Sequence, residues 1–218
     1  TTSAAITAQS LDVNAAGGTG TVNIGAAVAT TNNLDINSTT GSITTGGTAT
    51  LTSSAGNIIL DSDTSTVTTG AAVSAAGSGG TVTINAAGAV DLDGSTTADG
   101  LITLSTTTGS VDLSAATTSN NGNVSISTSD SSVNSTGKIS AADLSVSASG
   151  AVTLTTAVDT LDVSAGAGDI SVTEDDAITL QNIVTTSAAT SALAVTATAG
   201  NISSEASTGL QVNSGQIA

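Results

Sequence analysis

Between Gly80 and Leu113 one short pattern recurs: Gly80-Thr81-Val82-Thr83-Ile84, Gly88-Ala89-Val90-Asp91-Leu92, Gly100-Leu101-Ile102-Thr103-Leu104 and Gly109-Ser110-Val111-Asp112-Leu113. Each unit sets two branched apolar residues two apart about a small or polar spacer, the period of a strand with one buried face. A glycine stands two residues before the first apolar position. The units return every eight to twelve residues with turn-type residues between them, which predicts an all-β repeat array. A helix needs apolar spacing of three and four, and β-branched enrichment with frequent glycine argues against one.

The same glycine placement precedes Val22, Ile43, Ile58, Val82, Val90, Ile102, Val111, Val124, Ile139, Val152, Ile170 and Ile202. A corner between short strands needs positive φ or a close backbone approach, and glycine supplies either. A second kind of strand lacks the glycine and reads Leu, spacer, β-branched residue: Leu11-Asp12-Val13, Leu34-Asp35-Ile36, Leu144-Ser145-Val146, Leu161-Asp162-Val163 and Leu193-Ala194-Val195. Leu144 to Leu161 and Leu193 to Leu210 are 17 residues apart, and Val152 to Ile170 is 18. These intervals predict a parallel β-helix, or β-solenoid, of about ten coils, each of roughly 17–22 residues and ~4.8 Å high, in a rod of ~50 Å. Residues 1–218 are expected to form a single continuous solenoid, with longer loops at 61–80 and 174–192.

Composition narrows the shape of the interior. Phe, Tyr, Trp, Met, Cys, Pro and His are all absent, so a round core would lack its largest side chains, whereas a thin coil two strands deep is filled by single layers of Val, Ile and Leu. Mean hydropathy of +0.32 does not meet the signature of disorder. Ile58-Ile59-Leu60, the longest run of large apolar residues, is far too short to cross a bilayer, so no membrane insertion is expected. Seventeen acidic residues against the single base Lys138 give a net charge of −16, which repels nucleic acid and anionic membranes. Absence of Cys suits export through an oxidising space.

Gly88-Ala-Val-Asp-Leu92, Gly150-Ala-Val-Thr-Leu154 and Leu161-Asp-Val-Ser-Ala-Gly166 resemble the repeats of filamentous-haemagglutinin-like adhesins, large exported bacterial surface proteins, in pattern and composition across essentially the whole chain. The resemblance implies a right-handed β-helix, in keeping with the usual hand of parallel crossovers. It also implies a place at the bacterial cell surface or outside the cell, and work as a stalk or adhesive fibre.

Candidate chemistry is confined to carboxylates. Asp12, Asp35, Asp91, Asp112 and Asp162 occupy spacer positions and should face solvent; Asp91 and Asp112, if in successive coils, would stack ~5 Å apart with repulsion of about 1 kcal/mol in water. Such a ladder invites a cation. Asp61 and Asp63, Asp91 and Asp93 with Asp99 nearby, Asp112, and the triplet Glu174, Asp175 and Asp176 offer the oxygen ligands calcium prefers, and calcium (Ca2+) is the one cofactor these residues suggest. The calcium nonapeptide repeat is missing, since Gly166-Ala167-Gly168-Asp169 lacks its spacing. No catalytic residue is assigned: without His, Cys, Tyr or Arg no acid–base pair is placed by sequence, and a polysaccharide-degrading β-helix enzyme is a remote alternative. So is an ice-binding β-helix, because threonine pairs such as Thr81/Thr83 and Thr153/Thr155 recur at irregular intervals.

Both ends read as strand repeat, with Asp12 the only charge in residues 1–13 and none after Glu205. Uncapped coils expose unpaired backbone groups. The expectation is therefore an excerpt of a longer rod or a subunit that stacks head to tail into a homopolymer. The function expected is structural and extracellular, a fibre or stalk of a large surface adhesin. Its alternative is an adhesin whose outer face binds glycan or another surface, assisted by calcium.

Overall fold

A computed structural model of the chain describes residues 4–17, 20–185, 191–205, 210–212 and 215–217. Every regular element in them is a strand, every pairing is parallel, and the chain winds into a β-solenoid of about nine turns. The cause is the period-2 pattern: strands only three or five residues long bury one face and present the other to solvent, and none could stand alone. Each is held instead by its equivalents in the neighbouring coils. The amide of Leu34 donates to the Asn57 carbonyl at 2.9 Å, Ile58 to Thr81 at 2.9 Å and Val82 to Leu101 at 3.1 Å, so main-chain hydrogen bonds run from coil to coil along the axis.

Three ladders make the wall. One stacks Ile6–Ala8, Val28–Thr30, Leu51–Ser53, Val73–Ala75, Thr96–Ala98 and Thr117–Ser119. The middle one stacks Leu11–Ala15, Leu34–Ser38, Ile58–Ser62, Val82–Ala86, Ile102–Thr106 and Val124–Thr128. The last stacks Val22–Ile24, Ile43–Thr45, Val67–Thr69, Val90–Leu92 and Val111–Leu113. From Val133 the corners straighten and Val133–Ala148 and Val152–Ala165 each run through all three ladders.

Coil length follows the pairing. It is 24 residues from Leu34 to Ile58, 20 from Val82 to Ile102, and 17 from Leu144 to Leu161. The 17- and 18-residue intervals at Leu144–Leu161 and Val152–Ile170 are single coils, as the sequence suggests. Leu193 to Leu210 is not a coil, because Leu193 pairs with Ile170 and Ile217 while Leu210 pairs with Ile183. The expected loop at 61–80 is regular wall containing Val67–Thr69 and Val73–Ala75, and Ile178–Thr185 occupies much of 174–192.

The coil has three strands rather than two. The strand that the sequence hides belongs to the first ladder, where Val73-Ser74-Ala75, Thr96-Thr97-Ala98 and Thr117-Thr118-Ser119 carry one large apolar residue or none. Inside, Leu34, Ile58, Val82, Ile102, Val124, Leu144 and Leu161 form one buried column and Ile36, Leu60, Ile84, Leu104, Ile126, Val146 and Val163 another. Each such side chain contributes about 1.5–3 kcal/mol on leaving water.

Serine corners join the ladders. The hydroxyl of buried Ser38 donates to the Gly20 carbonyl of the previous coil and accepts from the Gly41 amide of its own. Ser53 does the same between Asn32 and Gly56, Ser62 between Gly41 and Ser65, and Ser119 between Gly100 and Gly122. A turning backbone thereby has its polar groups satisfied without water. Thr45, Thr69, Thr96 and Thr117 are also buried, but their hydroxyls have no partner. In each of these four coils the threonine comes with one apolar residue across the same corner: Thr45 with Leu51, Thr69 with Val73, Thr96 with Leu92 and Thr117 with Leu113.

Glycine corners answer to crowding more than to φ. Of the twelve glycines that precede strands, only Gly168 and Gly200 have positive φ. A Cβ on Gly109 would lie 2.3 Å from the Ala89 nitrogen of the coil before it, whereas one on Gly46 would meet nothing nearer than 3.8 Å.

Three substitutions should register in the denaturation midpoint. Gly109→Ala should lower stability by several kcal/mol, roughly the cost of overpacking against backbone, and Gly46→Ala should change it by less than about 0.5 kcal/mol. Thr117→Val removes an unpartnered buried hydroxyl and should raise stability by about 1 kcal/mol.

Candidate functional site

The acidic residues named from the sequence are spread along the solenoid rather than gathered at one place. Asp61 is the fourth residue of Ile58–Ser62, outward-facing, in register with Asn37 in the coil before and Asn85 in the coil after. Asp63 follows at the corner. Together with Ser62, Asn85, Ala86, Ala87, Ser105 and Thr107 they line an open cleft of about 190 Å³. Burial raises the Asp61 carboxyl above its ordinary range, with the charges of Asp63 and Asp35 adding to the effect. Among the described residues the one side-chain cation, Lys138, pairs elsewhere with Asp175, and the Oδ1 of neighbouring Asn37 is buried without a partner. The cleft is therefore rich in acceptors, and the chemistry it offers is hydrogen bonding to donor-bearing groups or oxygen ligation.

Asp91 and Asp112 are register partners in successive coils, as their spacing suggests. Their outward positions are half-buried. Burial raises the Asp91 carboxyl first, then the charges of Asp93 and Asp112, while Asp112 accepts a hydrogen bond from the Ser110 hydroxyl. Asp12 and Asp35 stack likewise, and Asp35 is raised by burial and then by Asp12. Asp162 stands between Ser145 and Asn182, away from any second aspartate in its row. Asp99 does not join Asp91 and Asp93. It sits at the corner between the first and middle ladders, where it accepts from the Gly79 amide at 2.6 Å and from Asn121 Nδ2 at 2.6 Å; these bonds hold its carboxyl below the ordinary value.

The triplet is split by the pleat. Ile170, Val172 and Glu174 alternate inward along one strand, so Glu174 is fully buried. Its carboxylate accepts from the amides of Val158 at 3.2 and 3.3 Å, Asp175 at 3.0 Å and Asp176 at 3.4 Å. Asp175 points outward to Lys138, 3.1 Å away, in a half-exposed ion pair. Among the described residues no three carboxylates gather in an arrangement that could hold a metal ion. The inward direction of Glu174 was visible in the period-2 pattern, but an acidic triplet reads as a surface loop unless that period is extended through it. The serine corners were hidden for the same reason.

Neither protein-family models, curated proteins nor solved structures give a match to this chain. The functional reading therefore rests on the wall itself.

The stacked carboxylates set a pH dependence. Asp91 has a raised carboxyl in the fold, so its contribution is intact below the ordinary carboxylate range and is lost as pH rises through its folded value. Asp91→Asn should accordingly stabilise the protein at pH 7 by less than about 1 kcal/mol, as befits a partly solvated pair, and the gain should vanish near pH 4 in parallel urea titrations.

Proposed function

We infer that the chain is a structural shaft, a β-solenoid segment of an extracellular bacterial fibre or large surface adhesin that holds distance between a cell and what it touches. The observation that carries this reading is the set of axial hydrogen bonds through the three ladders, coil after coil among the described residues, around an aliphatic column. Tension along the axis loads these bonds in series from coil to coil, while within a coil the strands and serine corners share the load. About nine coils at ~4.8 Å each give a segment of about 43 Å, and length scales with the number of coils.

Three features support an exposed setting. The surface carries Ser, Thr, Asn and Asp in rows, for example Thr83, Thr103, Ser125 and Ser145 followed by Asp162 along the middle ladder. The net charge of −16 keeps such rods apart in solution. The repeats resemble those of filamentous-haemagglutinin-like adhesins in the strings from Gly88, Gly150 and Leu161. End-to-end stacking of copies, or continuation in a longer solenoid, extends the same ladders.

Single-molecule pulling from the two ends tests the reading. Coil-by-coil rupture should release increments of about 22 residues, roughly 7–8 nm of chain at full extension, each against a measurable force. Smooth extension without force peaks would overturn a load-bearing role.

A further inference from the structure

Asn121-Gly122 is the one asparagine–glycine step in the chain, and exposed Asn121 sits at the corner between Thr117–Ser119 and Val124–Thr128. We propose that this corner is a self-modification site. Closed, it keeps Asn121 intact; opened, it lets the Gly122 nitrogen convert Asn121 to aspartate or isoaspartate, after which the corner no longer reseals. The reaction concerns one corner and stands whether or not the rod bears load.

The chemistry needs only water. The main-chain nitrogen of Gly122 attacks the side-chain amide carbon, Cγ, of Asn121. A C–N bond closes a five-membered imide, the Cγ–Nδ2 bond breaks, and ammonia leaves with the proton that the Gly122 nitrogen gives up. Water then opens the imide at either carbonyl, giving aspartate, or isoaspartate with the main chain rerouted through the side chain. Nothing is oxidised or reduced. Glycine favours the step because it has no Cβ to obstruct the approach. Asp93-Gly94 and Asp99-Gly100 are poorer substrates, since an ionised carboxylate resists attack and has no ammonia to lose.

Both reacting nitrogens are held in the closed corner. The Gly122 amide donates to Ser119 Oγ at 3.1 Å, and that hydroxyl donates to the Gly100 carbonyl of the coil before at 2.7 Å. Asn121 Nδ2 donates to Asp99 Oδ1 at 2.6 Å, and the Asn121 main-chain amide donates to the Asp99 carbonyl at 2.8 Å. Asp99 is fixed in turn by the Gly79 amide, a further coil back, and these bonds keep its carboxyl charged and accepting at neutral pH. Ring closure has to break the bond to Ser119 and the bond to Asp99 together, so it waits on local opening. The product then no longer fits. Aspartate in place of Asn121 loses the Nδ2 donor and sets a carboxylate against that of Asp99. Isoaspartate adds a main-chain atom where a Cβ on Gly122 would already lie 2.6 Å from the Gly100 carbonyl carbon.

The test holds the intact chain at pH 7.5 and 37 °C in buffer and, in parallel, in guanidinium chloride above its unfolding midpoint. Mass spectrometry follows the peptide that spans Asn121, with ammonia and isoaspartate as further readouts. Conversion in buffer should be slower by about tenfold or more, as for a reaction confined to a rare open state. Ser119→Ala and, separately, Asp99→Ala each remove one bond that ring closure must break, and each should quicken conversion in buffer about threefold or more. Equal rates in buffer and denaturant, or no quickening in the variants that fold, overturn the site; the first comparison needs neither variant. Asn121→Asp mimics the modified corner: exchange of the Gly122 amide should be faster than in the native chain, and the excess should shrink as salt screens the new carboxylate from Asp99. Exchange no faster than native overturns the loss of resealing.

Discussion

The structure depends on one constraint: every coil must lie at hydrogen-bonding height above the last around its whole circumference. A strand three residues long offers too few contacts to hold itself, so the ladder bonds from Leu34 to Asn57, Ile58 to Thr81 and Val82 to Leu101 are what make each strand a strand. The same constraint explains the corners. Where the backbone turns, the coil below is already at contact distance, and a side chain on Gly109 would meet Ala89 at 2.3 Å. Small hydroxyl residues serve beside the glycines because they fit the turn and satisfy it in both directions, one bond reaching the previous coil and one returning to its own.

Packing then has little freedom. The interior is a set of columns, and each coil must fill its layer with whatever residues stand at inward positions. At the corner between the last and first ladders the filling alternates, threonine with leucine or valine, and the hydroxyl is accepted unpartnered where its methyl group and volume complete the layer. Outside, identical register brings like charges together, as at Asp12 and Asp35 or Asp91 and Asp112. The solenoid tolerates such stacks because they remain partly in water, where the repulsion is on the order of 1 kcal/mol.

Much of this was legible in the chain. Glycine two residues before Val82, Val90, Ile102 and Val111, with apolar residues two apart, led to parallel coils with the correct inward and outward faces, and the 17-residue interval from Leu144 to Leu161 was a coil length. The first ladder was not legible, because Thr96–Ala98 and Thr117–Ser119 bury threonine and small residues that carry no hydrophobic signal. Of the candidate sites, the pairing of Asp91 with Asp112 could be read from spacing alone. The cleft beside Asp61 could not, since it joins residues of three coils, and the acidic triplet misled because charge suggests solvent while the alternation Ile170, Val172, Glu174 points the last member inward.

Coil length varies from 24 residues to 17 while the rows stay aligned, and this separates two kinds of design. Corner length is free to drift, so insertions and deletions there leave the facade undisturbed. What the outer wall shows is set instead by one residue per row per storey, at a pitch the backbone imposes. Reach is thus adjusted by adding whole storeys and display by changing single outward side chains, with neither alteration obliging the other.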